Sequence, residues 1–180
     1  MKILITGCCG FIGYHLALNL SKDKKNQVVG LDNINNYYDL DLKKNRLKKL
    51  KSIKNFIFLK TDLRKHLKVY NVFKKYKFNT VIHLAAQAGV RHSVDFPRTY
   101  LENNIDAFFN VLDASRKMNV NHFIFASTSS VYGSAKNFPL KETYDTSSPL
   151  SFYAATKKSN EVMAYSYSNI YKLPCTALRF

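Results

Sequence analysis

The chain has 180 residues, of which 46% are hydrophobic, and a formal net charge of +16. It is long enough to bury one core and does not require two complete domains. Much of the positive charge lies in residues 42–54, where lysines alternate with leucines as on a solvated helix face, and no nucleic-acid-binding module accompanies it. Because the sequence also lacks a signal pattern and an apolar run of roughly 18 to 20 residues, we expect a cytoplasmic protein that binds neither nucleic acid nor membrane.

Short β-rich segments alternate with longer helical patterns from one end of the chain to the other. The hydrophobic patterns predict strands at residues 2–6, 27–31, 55–59, 79–84, 121–126 and 175–179. They predict helices near residues 11–22, 40–51, 64–76, 98–118 and 151–171, and one extended surface loop at residues 133–150. Such alternation is typical of βαβ units, whose right-handed crossovers build an α/β fold with a doubly wound parallel sheet. In that fold, ligands bind beyond the carboxyl ends of the strands.

Three glycines follow the first predicted strand, in the sequence Gly7-Cys8-Cys9-Gly10-Phe11-Ile12-Gly13. Glycines permit a tight turn in which backbone N–H groups and a helix N-terminus face a pyrophosphate. The second strand ends at Asp32, about twenty residues further on, where a carboxylate accepts hydrogen bonds from an adenosine ribose and repels a 2′-phosphate. This combination favours NAD over NADP, and a plain glycine turn with a turn-forming aspartate is the alternative.

Asp62 ends the third predicted strand, in the sequence KTDLR. In a doubly wound sheet this position lies where the adenine ring of a dinucleotide binds. A helix N-cap is the alternative role for an aspartate at this position.

A second group of polar residues lies in the last third of the chain. Residues 123–133, FIFASTSSVYG, end a predicted strand with a cluster of hydroxyls, and SFYAATKKSNE follows about twenty residues later on a helix. Tyr153 and Lys157 are four residues apart, so both lie on one helical face and the ammonium favours the ionised phenol. Because free tyrosine titrates near pH ~10, a tyrosine that acts as a base at neutral pH needs this help.

These residues together resemble the extended short-chain dehydrogenase/reductases, and the likeness covers the whole chain. The residues that carry it are the three glycines, Asp32, Asp62, the HLAA run, the STSSVYG run and the Tyr153–Lys157 pair. The resemblance implies that residues 1–180 form a Rossmann-like, doubly wound NAD-binding domain. It also implies that the C-terminal substrate domain of the family is missing after Phe180.

The resemblance implies a catalytic set of Thr128, Tyr153 and Lys157. In the family the tyrosine removes a proton from a sugar hydroxyl while NAD takes hydride from the same carbon, the threonine shares the hydrogen bond, and the lysine also holds the nicotinamide ribose. The expected cofactor contacts are Gly7, Gly10, Phe11, Ile12, Gly13, Asp32, Asp62, Leu63, Leu84, Ala85, Ala86, Asn103, Tyr153 and Lys157. The expected substrate contacts are Arg91, Thr128, Ser129, Ser130 and Tyr153.

Arg91 follows the fourth predicted strand, in the sequence GVRHS. At the expected active site its guanidinium is suited to a phosphate or a carboxylate. A surface ion pair is the alternative.

Within the family, three stretches are most similar to UDP-glucuronate 4-epimerases, namely LDNINNYYDLDLKKNRL, HLAAQAGVRHS and LSFYAATKKSNEVMA. Related 4,6-dehydratases carry an Asp-Glu pair where this chain has Ser129 and Ser130, and galactose-type epimerases carry a lysine at the position of Ala88. The likeness therefore implies an NAD-dependent epimerase of a UDP-uronic acid that acts through a 4-keto intermediate. The alternatives are other members of the family that act on a UDP-sugar, namely a UDP-glucuronate decarboxylase, a UDP-hexose or UDP-N-acetylhexosamine 4-epimerase or a dehydratase, and a non-catalytic NAD-binding module. Relatives often pair through the helices near residues 98–118 and 151–171, which predicts a homodimer.

The cysteines and histidines are not spaced as metal ligands. Cys8 and Cys9 are adjacent and Cys175 is distant, which fits neither a disulfide framework nor a metal site. No ligand pattern relates the five histidines, which are His15, His66, His83, His92 and His122. We therefore expect no bound metal, and we interpret His83 as a hydrogen-bonded residue at a strand end.

Overall fold

Six parallel strands form the central sheet of the computed structural model, which describes residues 1–180. They are β1 (Lys2–Thr6), β2 (Gln27–Asp32), β3 (Phe56–Lys60), β4 (Thr80–His83), β5 (His122–Ser127) and β6 (Cys175–Arg179). Their order across the sheet is β3-β2-β1-β4-β5-β6, and every neighbouring pair is parallel. The direction of winding therefore reverses between β1 and β4, which is where ligands bind in doubly wound sheets. The predicted fold class is confirmed.

Seven α-helices connect the strands. They are α1 (Phe11–Leu20), α2 (Leu40–Lys51), α3 (His66–Tyr76), α4 (His92–Asp95), α5 (Pro97–Tyr100), α6 (Ala107–Lys117) and α7 (Phe152–Tyr171). Most predicted boundaries agree within one or two residues, which is the precision that helix and strand ends allow. No regular helix or strand lies between Tyr132 and Phe152, as expected for the loop at residues 133–150. None of these helices combines the length and the apolar character that crossing a membrane requires.

The prediction of one helix at residues 98–118 is wrong in its details. A four-residue helix, α5, begins at Pro97, a π-helical segment follows at Leu101–Asp106, and only then does α6 begin. A π-helical turn contains more residues than an α-helical turn, so it shifts the faces on which the following side chains lie, and such segments are frequent at functional sites. Here the segment places Asn103 and Asn104 beside the loop that follows β4.

Two apolar clusters cover the two faces of the sheet. On one face, Leu4 and Val29 pack with Phe73 of α3, Phe108 of α6 and Ala164 of α7. On the other face, the alternate strand residues pack against α1 and α2, and this cluster includes Ile3, Ile5, Val28, Cys8, Cys9, Ala17 and Leu50. Because neighbouring strand residues point to opposite faces, strands buried on both sides must be almost continuously apolar, as β1 and β2 are.

The carboxyl ends of the strands bring the candidate site residues to one edge of the sheet. Gly7 follows β1, Asp32 ends β2, Asp62 follows β3, Leu84 follows β4 and Thr128 follows β5. The strand register supports this arrangement, since Thr6 at the end of β1 pairs with both Leu31 and His83. Residues that are far apart in the sequence therefore meet around one cleft.

Candidate active site and cofactor cleft

The glycine turn after β1 is shaped by close contacts between backbones. Gly7 has a φ of +72°, and a Cβ atom added to it would lie 2.9 Å from the amide nitrogen of Ala85. A Cβ atom on Gly13 would collide with the carbonyl oxygen of Gly7. The chain can therefore make this turn only with glycine at these two positions.

The N-terminus of α1 points out of this turn without a side-chain cap. Gly10 is the N-cap residue and offers no side chain to the first N–H groups of the helix. These N–H groups and the positive end of the helix dipole are available to an anion such as a pyrophosphate. Phe11 and Ile12 lie in the first turn of α1 with exposed side chains, so of these two residues only the backbone is suited to contact a phosphate.

A cleft that is partly open to solvent runs from the glycine turn along the ends of β2, β3 and β4. The structure brings together nine of the predicted cofactor residues in its lining, which are Gly7, Gly10, Asp32, Asp62, Leu63, Leu84, Ala85, Ala86 and Asn103. It adds residues that the sequence did not indicate, among them Asn33, Asn35, Tyr38, Lys43 and Thr61. The other five, which are Phe11, Ile12, Gly13, Tyr153 and Lys157, lie outside this lining.

Asp32 is held in place by the backbone around it. Its carboxylate accepts hydrogen bonds from the N–H groups of Cys9, at 3.0 Å, and Ile34, at 2.8 Å. The bond from Ile34 is that of a turn-forming aspartate, so this alternative role is also present. Each carboxylate oxygen keeps a further lone pair, and the residue lines the cleft. The arrangement leaves Asp32 able to accept hydrogen bonds from a ligand.

Lys43 is a residue of the cleft that the sequence did not reveal. Residues 42–54 were expected to form a solvated face, but the Lys43 side chain is buried and its Nζ donates to the backbone carbonyl of Asn35 at 2.8 Å and to the Asn35 side chain at 2.6 Å. Burial lowers the pKa of Lys43, and the negative charge of Asp32 opposes this shift. A positive charge therefore lies beside Asp32 at the same end of the cleft.

Asp62 forms a charged contact with Arg64 at the far end of the cleft. Its carboxylate accepts from the Arg64 side chain at 2.7 to 3.1 Å and from the Arg64 backbone N–H at 3.0 Å. These hydrogen bonds hold the pKa of Asp62 below its usual value. The alternative role as a helix N-cap is not observed, because α3 begins later and its N-cap residue is Lys65.

Asn103 and Asn104 have different environments. Asn103 lines the cleft and donates to the carbonyl of Thr99 one turn earlier. Asn104 is buried, accepts from the N–H of Gln87 at 2.7 Å, and donates to the carbonyl of Gln87 and to the hydroxyl of Thr156, both at 3.1 Å. Asn104 therefore joins the loop after β4 to α7, a role that the sequence did not predict.

The predicted catalytic residues meet between β5 and α7. Thr128 follows β5, and its hydroxyl accepts from the N–H of Ser130 at 3.2 Å, at the start of a 3₁₀ turn (Ser129–Tyr132). Tyr153 lies in the first turn of α7, which Ser151 caps by accepting from the N–H of Ala154 at 3.1 Å. Burial raises the pKa of the Tyr153 phenol, and an interaction with the Thr128 hydroxyl lowers it. The strand end and the helix thus place the threonine hydroxyl beside the phenol.

Lys157 lies one helical turn after Tyr153 and is only 2% exposed. Burial lowers its pKa to about 8, while the negative charge of Glu161 opposes this shift. Burial and the Lys157 charge lower the pKa of His83 to about 3, so His83 is neutral at physiological pH. The His83 ring hydrogen-bonds the Thr6 hydroxyl at 2.9 Å, which confirms the interpretation of His83 as a strand-end residue.

A half-buried charge pair lies behind the predicted catalytic residues. The Glu161 carboxylate accepts two hydrogen bonds from the Arg179 guanidinium at 2.9 Å and one from the Ser127 hydroxyl at 2.6 Å. These three residues connect α7, β6 and β5, and Ser127 directly precedes Thr128. Glu161 follows Tyr153 and Lys157 at the same four-residue spacing. The sequence therefore contained a signal for Glu161, but the prediction considered only the Tyr153–Lys157 pair.

The predicted substrate contacts differ in exposure. Arg91 is exposed just before α4 and makes no ion pair, so the alternative role in a surface ion pair is not observed. Ser129 is exposed, and its N–H donates to the carbonyl of Phe180 at 2.6 Å. The Ser130 hydroxyl accepts from Thr128 at 3.2 Å.

The fold, the residues that line the cleft and the set of Thr128, Tyr153 and Lys157 define a dinucleotide-binding domain with a Tyr-Lys pair at the edge of its sheet. Residues 4–180 match the model of a protein family described as GDP-mannose 4,6 dehydratase. The chain belongs to this family of NAD-dependent epimerases and dehydratases, within the extended short-chain dehydrogenase/reductases. The predicted family is therefore confirmed.

Individual relatives match the whole chain. The chain is 49% identical to "Protein CapI" of Staphylococcus aureus over 180 residues, which are 100% of this chain and 53% of that protein. It is 41% identical to "UDP-glucuronate 4-epimerase 1" of Arabidopsis thaliana, covering 100% of this chain and 42% of that protein. The chain thus spans about half the length of the curated relatives it matches.

Solved structures agree with the sequence relatives. The crystal structure of UDP-glucuronic acid 4-epimerase from Bacillus cereus in complex with UDP-glucuronic acid and NAD superposes with a TM-score of 0.91 and is 35% identical. The match covers 99% of this chain and 56% of that one. A UDP-glucose 4-epimerase from Thermus thermophilus in complex with NAD superposes with a TM-score of 0.86 at 32% identity, covering 99% of this chain and 54% of that one. The predicted likeness to UDP-glucuronate 4-epimerases is confirmed in both sequence and structure.

Proposed function

We propose that the intact protein is an NAD-dependent epimerase that interconverts UDP-glucuronate and UDP-galacturonate. The observation that carries this proposal is the position of Tyr153, which lies beside Thr128 and one turn before a buried Lys157 at the edge of the sheet that forms the dinucleotide cleft. Similarity to UDP-glucuronate 4-epimerases over the whole chain supports the choice of substrate.

The residues of the cleft fit NAD. The turn around Gly7 and Gly13 leaves no room for side chains between β1 and α1, and the uncapped N-terminus of α1 is suited to the pyrophosphate. Asp32 would accept hydrogen bonds from the adenosine ribose and would repel a 2′-phosphate. Asp62 would hold the adenine end. When bound, NAD supplies a hydride acceptor that returns the hydride at the end of the cycle.

Tyr153 is the proposed base of the reaction. Its phenol would remove the proton of the sugar C4 hydroxyl, and Thr128 would share the hydrogen bond to that oxygen. A buried phenol is a poor base because burial raises its pKa. We assign the stabilisation of the phenolate to the Lys157 ammonium, which has a pKa of about 8 and is mostly protonated at neutral pH.

The residues around Thr128 support epimerisation over dehydration. Elimination of water needs an acid and a base beside the oxidised carbon, and this chain has the hydroxyls of Ser129 and Ser130 at the positions that follow Thr128. Arg91 supports a substrate with negative charge, because it is exposed and has no carboxylate partner within the chain. We assign Ser129, Ser130 and Arg91 to the contacts with the nucleotide sugar.

The intact protein is also proposed to be a homodimer that pairs through α6 and α7. Three large side chains on these helices, Phe109, Val162 and Tyr165, are exposed, which supports a contact at this face. A cytoplasmic location is supported by three free cysteines, none of which forms a disulfide.

The test is to incubate the intact protein with UDP-glucuronate and to follow the sugar by NMR. We expect UDP-galacturonate to form in the wild type and in Tyr70→Phe, a change on α3 outside the cleft lining that serves as the control. The Tyr153→Phe variant should bind NAD and form no product. Near-normal turnover by that variant would refute the role of Tyr153, and a decarboxylated sugar in the wild type would assign the protein to the decarboxylating relatives.

A further inference from the structure

Cys8 and Cys9 occupy the two positions of the glycine turn that have no need to be glycine. Both side chains are fully buried in the apolar cluster on the α1 and α2 face of the sheet. The turn brings the sulfur atoms of Cys8 and Cys9 and a carboxylate oxygen of Asp32 within 4.8 Å of one another. Two thiols and one carboxylate therefore converge on one point at the ribose end of the cleft.

This set of ligand atoms has the chemistry of a site for a thiophilic cation. Thiolate sulfur selects ions such as Zn²⁺ and Cd²⁺, and a carboxylate oxygen is a common third ligand. Two sulfur atoms bound to one tetrahedral zinc ion at about 2.3 Å lie roughly 3.8 Å apart, so small rotations of the side chains bring the three groups onto one ion. We propose, in contrast to the expectation from the cysteine spacing alone, that Cys8, Cys9 and Asp32 bind a thiophilic divalent cation.

The charges around the three ligands are compatible with a bound divalent cation. Two thiolates and one carboxylate carry three negative charges, and a divalent cation leaves one of them. Lys43 lies in the same cleft lining as Asp32, and the Arg46 guanidinium reaches the carbonyl of Cys9 at 3.3 Å. These two cations balance the remaining negative charge.

Asp32 links the cation to the cofactor cleft. Its carboxylate already accepts from the N–H groups of Cys9 and Ile34, and a bound ion would take up a further lone pair. A carboxylate that ligates a cation is no longer free to accept hydrogen bonds from a ribose. The cation and the dinucleotide should therefore exclude each other, an expectation that rests on the proposed role of Asp32 in NAD binding.

The experiment is a titration of the intact, NAD-free protein with Cd²⁺, followed by the ultraviolet charge-transfer absorption of Cd–thiolate bonds. We expect one Cd²⁺ per chain. The Cys8→Ser/Cys9→Ser double variant should bind Cd²⁺ more than about 100-fold more weakly, because mutation of groups that only support metal ligands typically costs 10- to 100-fold. Cys175→Ser is the matched control, since Cys175 lies on β6, away from the cleft, and it should bind Cd²⁺ as the wild type does.

A second variant covers the case in which the double variant does not fold. Asp32→Asn keeps both thiols, and it should retain the charge-transfer absorption with an affinity at least about tenfold lower, because the third ligand has lost its charge. An absent charge-transfer signal in the wild type would overturn the proposal. An equal signal in the folded double variant, or its loss in Cys175→Ser, would overturn it as well.

Competition with NAD locates the site. Saturating NAD should raise the apparent Kd for Cd²⁺ in the wild type, and unchanged Cd²⁺ affinity in the presence of bound NAD would overturn the shared use of Asp32. NAD binding is measured separately in the absence of Cd²⁺. A protein that binds Cd²⁺ through Cys8 and Cys9 and fails to bind NAD would contradict the proposed function and would leave the cation site standing.

Discussion

The two halves of the site are built in different ways. The half around the ends of β1 to β3 depends on glycines, on backbone N–H groups and on Asp32, which the backbone holds in position. The half between β5 and α7 depends on buried charge, with Lys157 in the interior and the Glu161–Arg179 pair behind it. The cofactor half therefore depends on glycines, which leave room where a side chain would not fit. The catalytic half depends on charged side chains, which need groups of opposite charge nearby because little water reaches them.

The largest expected effect is a loss of NAD affinity at the glycine turn, in the cofactor half of the site, which can be measured separately from the loss of stability. Gly7→Ala places a methyl group against the backbone of Ala85 at a φ of +72°, so the turn must open where the pyrophosphate binds. We expect NAD affinity to fall by more than about 100-fold, equivalent to about 2.7 kcal/mol, as measured by isothermal titration calorimetry.

Gly133→Ala is the matched control for this change. Gly133 also has a left-handed φ, +58°, but it lies in the loop after the 3₁₀ turn and outside the cofactor cleft. Both variants should lose stability through backbone strain, by at least about 1–2 kcal/mol. Equal losses of NAD affinity in the two variants would show that the effect of Gly7→Ala is general destabilisation.

The next effect addresses the catalytic half. Glu161→Gln removes the charge that pairs with Arg179, and a guanidinium left in this half-buried position without a carboxylate should cost about 3 kcal/mol of unfolding free energy. Urea denaturation measures this loss. Glu102→Gln is the control, because Glu102 contacts Arg64 and Arg98 at the surface, where ion pairs contribute little. Equal stability of the two variants would contradict the importance of burial.

A smaller and pH-dependent effect is expected at Lys157. Its folded-state pKa of about 8 lies below the ordinary value of 10.5, so between these pH values the unfolded chain binds more protons and stability rises with pH. Replacing the charge by Lys157→Met should therefore stabilise the NAD-free protein at pH 7 by about 2 kcal/mol, and this advantage should shrink as the pH rises from 8 towards 10.5. The same variant should have no turnover. A stability difference that is constant over this pH range would contradict the desolvated state of Lys157.

The sequence predicted the parts of the site that depend on local spacing. The glycine turn, Asp32 at a strand end and the four-residue spacing of Tyr153 and Lys157 follow from one turn or one helix, and the structure places all of them at the carboxyl edge of the sheet. The doubly wound parallel sheet could also be anticipated, because right-handed crossovers leave few topologies for alternating strands and helices.

The remaining parts depend on contacts between distant segments. Glu161 meets Arg179 only after β6 has joined the sheet beside β5. Asn104 reaches Gln87 and Thr156 because a π-helical segment interrupts a pattern that otherwise predicts one regular helix. The sequence does not distinguish Lys43 from the neighbouring surface lysines, because its burial depends on a contact with Asn35. No local pattern distinguishes these residues from solvent-exposed ones.

The central claim is that Tyr153 removes the proton from the C4 hydroxyl while the hydrogen on C4 leaves as hydride and returns to the same carbon. The most direct measurement uses UDP-glucuronate that carries deuterium at C4, incubated with the intact protein in ordinary water and analysed by NMR. The account predicts UDP-galacturonate that retains deuterium at C4, because a hydride held within the site does not exchange with solvent. Product that carries solvent hydrogen at C4 would contradict it.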